Sequence, residues 1–451
     1  MHRASAADST PAWHERAAFL CVAGLLLTVP FLFIPTASEA FRAPKLWASD
    51  VWGLASLLCL AFGLRRVGGI SPGALWRVPA IRATVPLVVL ALVSRFTSSF
   101  PLGVAGATAE LAIGAACLIG WSVGLEPGAR ERLLGLLRWP AAALAVLAVL
   151  QLTGLYRPFG LAGVEATRMG VTSLAGNAGD LGAYLVLPCL LLQARLVDSR
   201  GRRRAWTAVF FGLALGGLVA TQTFTALAAV AFGSLLFWGQ RLPRRQAWLA
   251  FAAGVGLTAA LVLAVPPLRQ RTLSKASVLL AGDWDQVLTY RLDGWRAATW
   301  MLGQHPFAGV GHGVYRSNYA AARLALAERG ADFSGQYRQL SFFNAHNDAL
   351  EVAAELGWPG LLALGFAAWT LAQALRRTSP EDRALGVAGA ASLGLLAIAG
   401  FPFETALIIY PWLLFLSGFL GRRHAEQEVV APAVAEPRNA PTPDRARRRK
   451  R

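Results

Sequence analysis

The chain has 451 residues, of which 55% are hydrophobic and only 15% are charged, and its formal net charge is +18. Soluble proteins carry about 25% charged residues, so this composition excludes a soluble multidomain enzyme and indicates an integral membrane protein. The positive charge alone would suggest a nucleic-acid partner. The arginines, however, are concentrated in short segments between apolar stretches. Basic residues at such places set membrane topology and contact anionic lipid, so we expect no nucleic-acid ligand.

Twelve apolar stretches approach the roughly 20 residues that cross a bilayer as a helix. These predicted spans are 17–35, 46–64, 79–96, 104–124, 133–153, 180–197, 205–221, 223–238, 246–265, 349–375, 384–401 and 405–420. Arginines are more frequent in alternate short loops, which predicts that both ends of the chain lie in the cytoplasm. The alternative for the first span is a signal peptide that is cleaved near SEA at 38–40. The sequence therefore predicts an all-α polytopic membrane protein.

The spans divide the chain into four parts. Residues 1–265 hold spans one to nine, 266–346 form an external loop domain, 347–421 hold spans ten to twelve, and 422–451 form a disordered basic tail. A loop of this length is uncommon unless it is functional. It contains three of the six histidines and nine basic residues against five acidic ones. We therefore expect the functional site in or beside this loop.

The four cysteines are Cys21, Cys59, Cys117 and Cys189. Each lies inside an apolar run and none has C-x-x-C spacing, so they are expected to pack as small hydrophobic residues. The cysteines also form no zinc-type cluster. We therefore expect neither a metal nor another cofactor.

The stretch SFFNAHNDALEVAAELGWPG (341–360) brings a histidine to the start of a predicted membrane helix. In that helix Asp348, Glu351 and Glu355 share one face. Charge inside a bilayer is costly, so we expect Glu355 to orient His346 or to pair with a loop arginine. His346 is a candidate general base because histidine titrates near neutrality. The alternatives are a histidine at a helix start without catalytic role and an Asp348–Glu351 capping box.

Two further segments have the residues for binding an anion. The first, TYRLDGWRAATWMLGQHPFAGVGHGVY (289–315), is predicted to form a helix followed by a glycine-rich turn. Free amides of such a turn could bind an anion, and the alternative is an ordinary turn. The second, TRMGVTSLAGNAGDLGAY (167–184), leads into span six, with Asn177 and Asp180 as candidate helix-cap residues. Its alternative is a re-entrant connector that carries no function.

These motifs together resemble the O-antigen ligase and polymerase superfamily. The resemblance rests on the run from Arg291 through HPFAGVGHG (305–313), on H-N-x-x-L-E-x-x-x-E-L-G-x-x-G (346–360), and on the stretch 168–184. It also covers the layout of about twelve spans with one large late loop. One departure is TQTFTAL (221–227), which has Phe224 where members often carry an arginine.

The resemblance implies an inverting membrane glycosyltransferase with a GT-C-type fold. Such an enzyme moves a glycan from undecaprenyl diphosphate to an acceptor hydroxyl at the periplasmic face of the bacterial inner membrane. It implies that His346 is the base, that Arg291 holds the diphosphate and that Arg168 is a further external arginine. Our own assignment is that Glu355 is an orienting residue. The further candidates for substrate binding are Arg168, Arg296, Arg338, His312, Asn177 and Asn347.

Within the superfamily the acceptor distinguishes the branches. We expect a ligase-like enzyme whose acceptor is lipid A–core or a related glycan, and a repeat-unit polymerase is the alternative. The protein-glycosylating branch is less favoured because no added soluble C-terminal domain is evident.

The alternative from another class is a transporter or lipid flippase. A transporter should carry charged residues in the middle of its spans. Besides Glu351 and Glu355 the predicted spans contain few, among them Glu110 and Arg138, and Glu404 lies between the last two spans. A transporter also has no need for a long loop with three histidines, so the glycosyltransferase is preferred.

Overall fold

The computed structural model describes residues 13–37, 39–66, 76–156, 170–289, 291–331, 342 and 344–421. Helices and connecting turns make up this part of the chain, and no strand occurs among the described residues. Mostly apolar stretches satisfy their backbone hydrogen bonds internally as helices, which is what a bilayer requires. The prediction of an all-helical protein is therefore confirmed.

The first seven helices lie before residue 200. They are α1 (Trp13–Thr28), α2 (Arg42–Arg66), α3 (Pro79–Ser94), α4 (Pro101–Gly124), α5 (Pro127–Leu136), α6 (Arg138–Leu152) and α7 (Ala178–Asp198). The later helices are α8 (Gly201–Ala220), α9 (Phe224–Arg241), α10 (Arg244–Ala264), α11 (Pro266–Leu280), α12 (Trp284–Val287), α13 (Leu292–Gln304), α14 (Tyr315–Glu328), α15 (Asp348–Arg376), α16 (Pro380–Ile398) and α17 (Ala406–Ser417). Short 3-10 turns cover Val29–Phe31 and Pro402–Glu404.

Each of the twelve predicted spans overlaps at least one of these helices. By length and apolar composition, seven candidate spans are found among the described residues. They are Trp13–Phe31, Arg42–Phe62, Pro101–Gly124, Pro127–Leu152, Ala178–Asp198, Arg244–Ala264 and Asp348–Arg376. The helices Pro79–Ser94 and Ala406–Ser417 are apolar but shorter. A multi-pass membrane protein follows from these helices, and the count of twelve spans remains a prediction.

The described part of the long segment between α10 and α15 is largely helical, as its sequence indicates. It contains α11, α12, α13 and α14. A second hydrophobic core, separate from the main bundle, joins this segment to α4 and α15. Its buried members are Val104, Ala297, Ala298, Met301, Val310, Val314, Tyr315, Tyr319, Ala322, Phe342, Ala345 and Ala354. This core fixes the end of α13 and the start of α15 against each other.

The turn between α13 and α14 docks onto a break in α15. Gly357 has φ 67° inside that helix, a left-handed conformation that glycine adopts without steric cost. The Trp358 N–H donates to the Pro306 carbonyl at 2.8 Å, and the Val310 N–H donates to the Ala354 carbonyl at 2.9 Å. The backbones meet so closely that a Cβ added at Gly309 would lie 2.1 Å from the Glu355 carbonyl.

We therefore predict that Gly309→Ala destabilises the protein. The new methyl group would meet backbone and also require φ near 62° from alanine, at a cost of about 1–3 kcal/mol or more. Thermal unfolding in detergent measures this loss. Gly303→Ala is the matched control because nothing lies within 4 Å of its added Cβ, and in a helix that change stabilises by up to about 1 kcal/mol. Equal unfolding temperatures for the two variants would contradict the close contact.

Candidate functional site

His346 lies at the centre of the candidate site, two residues before α15. Its backbone is left-handed, with φ 54°, a conformation that costs a non-glycine residue of order 1–3 kcal/mol. The imidazole packs against Phe342 and Phe401, with ring centroids 5.7 Å and 4.9 Å away. Its Nδ1 atom is buried and has no hydrogen-bond partner among the described residues. The fold thus holds a strained histidine with one nitrogen available to accept a proton.

The surroundings of His346 keep its ring neutral. Burial, followed by the positive charges of Arg291 and Arg42, lowers the pKa of His346 to about 4. Desolvation and nearby positive charge both disfavour the imidazolium form. At neutral pH the ring is therefore unprotonated, as a general base must be before it acts.

Two arginines from distant parts of the chain stand near this ring. Arg291, at the start of α13, donates to the Ala399 carbonyl. Arg42, at the start of α2, donates from Nη2 to the Asp180 carboxylate at 3.2 Å, and its guanidinium lies 4.9 Å from the centre of the Phe401 ring. The short segment 399–401 after α16 therefore contacts both arginines and the histidine.

The three carboxylates of α15 are all buried, with exposed fractions of 4% for Asp348, 5% for Glu351 and 4% for Glu355. Asp348 accepts from the Phe403 N–H at 3.5 Å, and Glu351 accepts from the Ala345 N–H at 2.8 Å. Buried charge requires such partners. The Asp348–Glu351 capping box is wrong, since the cap is Asn347, whose side chain accepts from the Leu350 N–H at 3.0 Å.

Glu355 does not contact His346 in the way the sequence predicted. Its two oxygens accept separately from the Gly313 N–H at 2.7 Å and the Tyr315 N–H at 2.9 Å. One oxygen also lies 3.2 Å from Nδ1 of His312. The expected partner was His346 or an arginine. The preference for backbone donors arises because the glycine-rich turn lies directly over this part of α15.

The same contacts correct the prediction that the turn offers free amides to an anion. Besides the two bonds to Glu355, the Gly311 N–H donates to the Glu355 carbonyl at 3.0 Å. The His312 N–H donates to Ser94 at 3.1 Å. The anion that this turn binds is thus the protein's own carboxylate, and the interpretation as an ordinary turn is closer to the structure.

The charge of Glu355 governs His312. Burial lowers the pKa of His312, but the hydrogen bond and charge of Glu355, together with the charges of Glu404 and Glu110, outweigh burial and raise that pKa above its ordinary value. The pKa of His312 is therefore raised by its neighbours, whereas the pKa of His346 is lowered by its neighbours. His312 is suited to remain paired with a carboxylate, whereas His346 is suited to accept a proton.

Glu404 is a site residue that the sequence analysis missed. Its carboxyl group interacts with that of Glu351. Glu404 keeps an accessible surface although protein atoms surround most of its carboxyl group. Burial of this group raises the pKa of Glu404 to about 7, against the opposite effect of the Glu351 carboxyl group.

The other predicted site residues fall into three groups. Asn177 caps α7 and also donates to Asp180 at 2.7 Å, which agrees with the helix-cap interpretation. Arg296 is exposed and pairs with Asp293 at 3.5 Å, and the Asn347 side chain caps α15. Arg168 and Arg338 lie outside the described residues. Among the described residues, no three His, Cys, Asp or Glu side chains are arranged to hold a metal ion.

Phe224 stands where the resemblance predicts an arginine, and a guanidinium reaches this place from another helix. Arg271 of α11 lies over the Phe224 ring, 5.6 Å from its centre. One of its Nη atoms donates to the Gln222 side chain at 3.5 Å. The positive charge near the start of α9 is therefore supplied from the segment that follows α10.

Several residues of the site lie in a segment that is similar to a known protein family. Residues 208–365, which include Arg291, His312, His346 and Glu355, match the family model described as O-antigen ligase. We call residues 208–365 the O-antigen ligase domain after this similarity. No curated protein matches the chain. The O-antigen ligase domain confirms the resemblance stated for the sequence and supports a ligase or polymerase type of activity in a membrane protein.

The residues that sequence reasoning missed lie outside the O-antigen ligase domain. Arg42 lies in a short loop between the first two predicted spans, Phe401 is the last residue of a predicted span, and Glu404 lies between the last two predicted spans. One signal was available, because a glutamate next to a span boundary in GFPFET (400–405) needs a polar partner. Nothing local in the sequence connects Arg42 to His346.

We predict that Glu355→Gln loosens the turn and lowers the pKa of His312. Glutamine has one acceptor oxygen, so its amide nitrogen would face either the Gly313 or the Tyr315 N–H without bonding to it. The expected loss is about 1.5–3 kcal/mol of stability. The pKa of His312 should fall, because burial persists when the charge and hydrogen bond of Glu355 are removed.

Thermal unfolding and an NMR titration of labelled histidine in detergent measure these two effects. Glu328→Gln serves as the matched control because Glu328 is exposed at the end of α14. An unchanged His312 titration in Glu355→Gln would contradict the assigned role of Glu355.

Proposed function

We propose that this protein is an inverting glycosyltransferase that moves a glycan from undecaprenyl diphosphate to an acceptor hydroxyl. The observation that carries the proposal is a neutral, strained His346 with two arginines at its side, in a chain with an O-antigen ligase domain. A base beside positive charge suits a reaction in which a hydroxyl loses a proton while an anionic group departs.

In the proposed reaction His346 takes the proton of the acceptor hydroxyl as its oxygen attacks C1 of the donor sugar. The new C1–O bond forms as the bond from C1 to the phosphate oxygen breaks. The electron pair of the broken bond stays on the diphosphate, which gains one negative charge. Attack opposite to the leaving group inverts the configuration at C1.

The leaving group is proposed to be stabilised by arginine. A guanidinium binds phosphate oxygens bidentately and stays charged, so the diphosphate can leave without being protonated. Arg291 is the first candidate, and Arg168 is added by the resemblance. Since the arginines supply the positive charge, we propose that the reaction needs no metal ion.

The acceptor is proposed to be lipid A–core or a related glycan, as in ligases, and a repeat-unit polymerase of the same superfamily is the alternative. The site is proposed to face the periplasm from the bacterial inner membrane. This orientation is supported by the distribution of arginines over the short loops. A lipid-linked donor would reach the site from within the bilayer.

We predict that His346→Ala lowers the rate of transfer by about 10²–10⁴-fold, the range expected for loss of a general base. The purified protein in detergent, with EDTA, receives an undecaprenyl-diphosphate glycan and candidate acceptors, and released undecaprenyl diphosphate is measured. The glycan product then distinguishes a ligase from a polymerase.

The matched control is His305→Ala, since His305 is an exposed histidine of the same segment and should leave the rate unchanged. Equal release by wild type and His346→Ala, with both folded, would exclude His346 as the base. Loss of release in EDTA and rescue by one divalent ion would exclude the metal-free mechanism.

A further inference from the structure

The surroundings of His346 contain a second arginine that neither the sequence motifs nor the O-antigen ligase domain includes. We propose that Arg42 of α2 binds the anionic diphosphate of the donor together with Arg291. This inference rests on the proposed function, because it assigns a further binding residue to the same site. It is argued from how Arg42 is held, from what it contacts and from which of its donors remain.

One edge of the Arg42 guanidinium is fixed by Asp180. Nε and Nη2 donate to the Asp180 carboxylate at distances of 3.2–3.4 Å. The Asp180 side chain is only 6% exposed, and Asn177 donates to it at 2.7 Å. An arginine held in this way loses little further side-chain entropy when a ligand binds.

The face of the guanidinium is fixed by Phe401. That ring centre lies 4.9 Å from the Arg42 guanidinium and 4.9 Å from the centre of the His346 ring. Stacking on an aromatic face is favourable for arginine and leaves its N–H groups directed outward in the guanidinium plane. The ring therefore sets Arg42 at a defined place beside the base, and the adjoining Ala399 carbonyl accepts from Arg291.

The remaining edge of Arg42 is suited to a phosphate. Nη1 makes no hydrogen bond among the described residues, and 34% of the side chain is exposed. Nη1 and the outer proton of Nη2 form a second fork, which matches two phosphate oxygens. Asp180 offsets part of the charge of Arg42 but does not use this fork.

Lys45, one turn further along α2, cannot take this role. Its ammonium group donates to three carbonyls, those of Leu32 at 2.6 Å, Phe41 at 3.0 Å and Leu174 at 2.8 Å. Only 2% of the residue is exposed. An ammonium group has three donors, so all of them are committed to the fold. Arg42 is thus the cation of this helix end that retains donors for a ligand.

The test measures binding of undecaprenyl diphosphate to the full-length protein in detergent, for wild type, Arg42→Gln, Arg42→Lys and Arg203→Gln. Arg203 is an exposed arginine at the start of α8 and is the matched control. We expect Arg42→Gln to weaken binding by about tenfold to hundredfold, as for loss of charged hydrogen bonds. Arg42→Lys should bind with intermediate affinity, and Arg203→Gln should bind as wild type does.

The pH dependence of kcat/KM for transfer adds a readout that a merely structural arginine would not change. Burial and the charges of Arg291 and Arg42 lower the pKa of His346 to about 4. The wild-type rate should therefore persist as pH falls and decline only near that value. Removing the charge of Arg42 raises the pKa of the base, so the decline should begin at higher pH in Arg42→Gln than in Arg42→Lys.

The outcomes separate this inference from the proposed function. One outcome would overturn the inference alone. In it the wild type binds and transfers, the Arg42→Gln variant binds with equal affinity, and its kcat/KM declines at the same low pH as that of the wild type. Wild type that neither binds undecaprenyl diphosphate nor releases it would overturn the proposed function and this inference with it. If Arg42→Gln does not fold, the affinity of Arg42→Lys tests the inference instead. Wild-type affinity in Arg42→Lys would exclude bidentate binding by Arg42 and overturn the inference.

Discussion

The geometry of the site depends on one buried carboxylate. Glu355 is 4% exposed and binds the Gly313 and Tyr315 amides with its two oxygens. Without those donors, an ionised carboxylate buried there would cost several kcal/mol. The contact fixes the glycine-rich turn and the start of α14 on α15. Tyr315 extends the link by donating from its hydroxyl group to the Gly294 carbonyl at 2.8 Å.

In this arrangement the carboxylates of α15 and the arginines near His346 have different partners. The acidic side chains of α15 accept hydrogen bonds from backbone N–H groups and not from the arginines near His346. Arg42 has a carboxylate partner in Asp180 but keeps one fork of donors. A site that used all its arginines in internal ion pairs would stabilise an anionic ligand less than water does and would bind it poorly. The positive charge near His346 is preserved because backbone donors satisfy the carboxylates.

The sequence is sufficient to predict what is local. Apolar periodicity and length predict the helices, and a histidine followed by carboxylates predicts a polar site at the start of α15. It does not reveal which donors a buried carboxylate finds, because that depends on the glycine turn meeting the break at Gly357. The roles of Arg42 and Phe401 are equally hidden, since 359 residues separate them in the chain and no local pattern joins them.

The position of the two arginines also bears on the strength of the base. With a pKa of about 4, His346 is a weaker base than catalysis at neutral pH favours. The low value arises from burial and from Arg291 and Arg42, and an anion bound to these arginines would offset their charge. The pKa of His346 would then rise toward neutrality. The same ligand that is to be cleaved would thus activate the base, so that an empty site has little capacity to activate water.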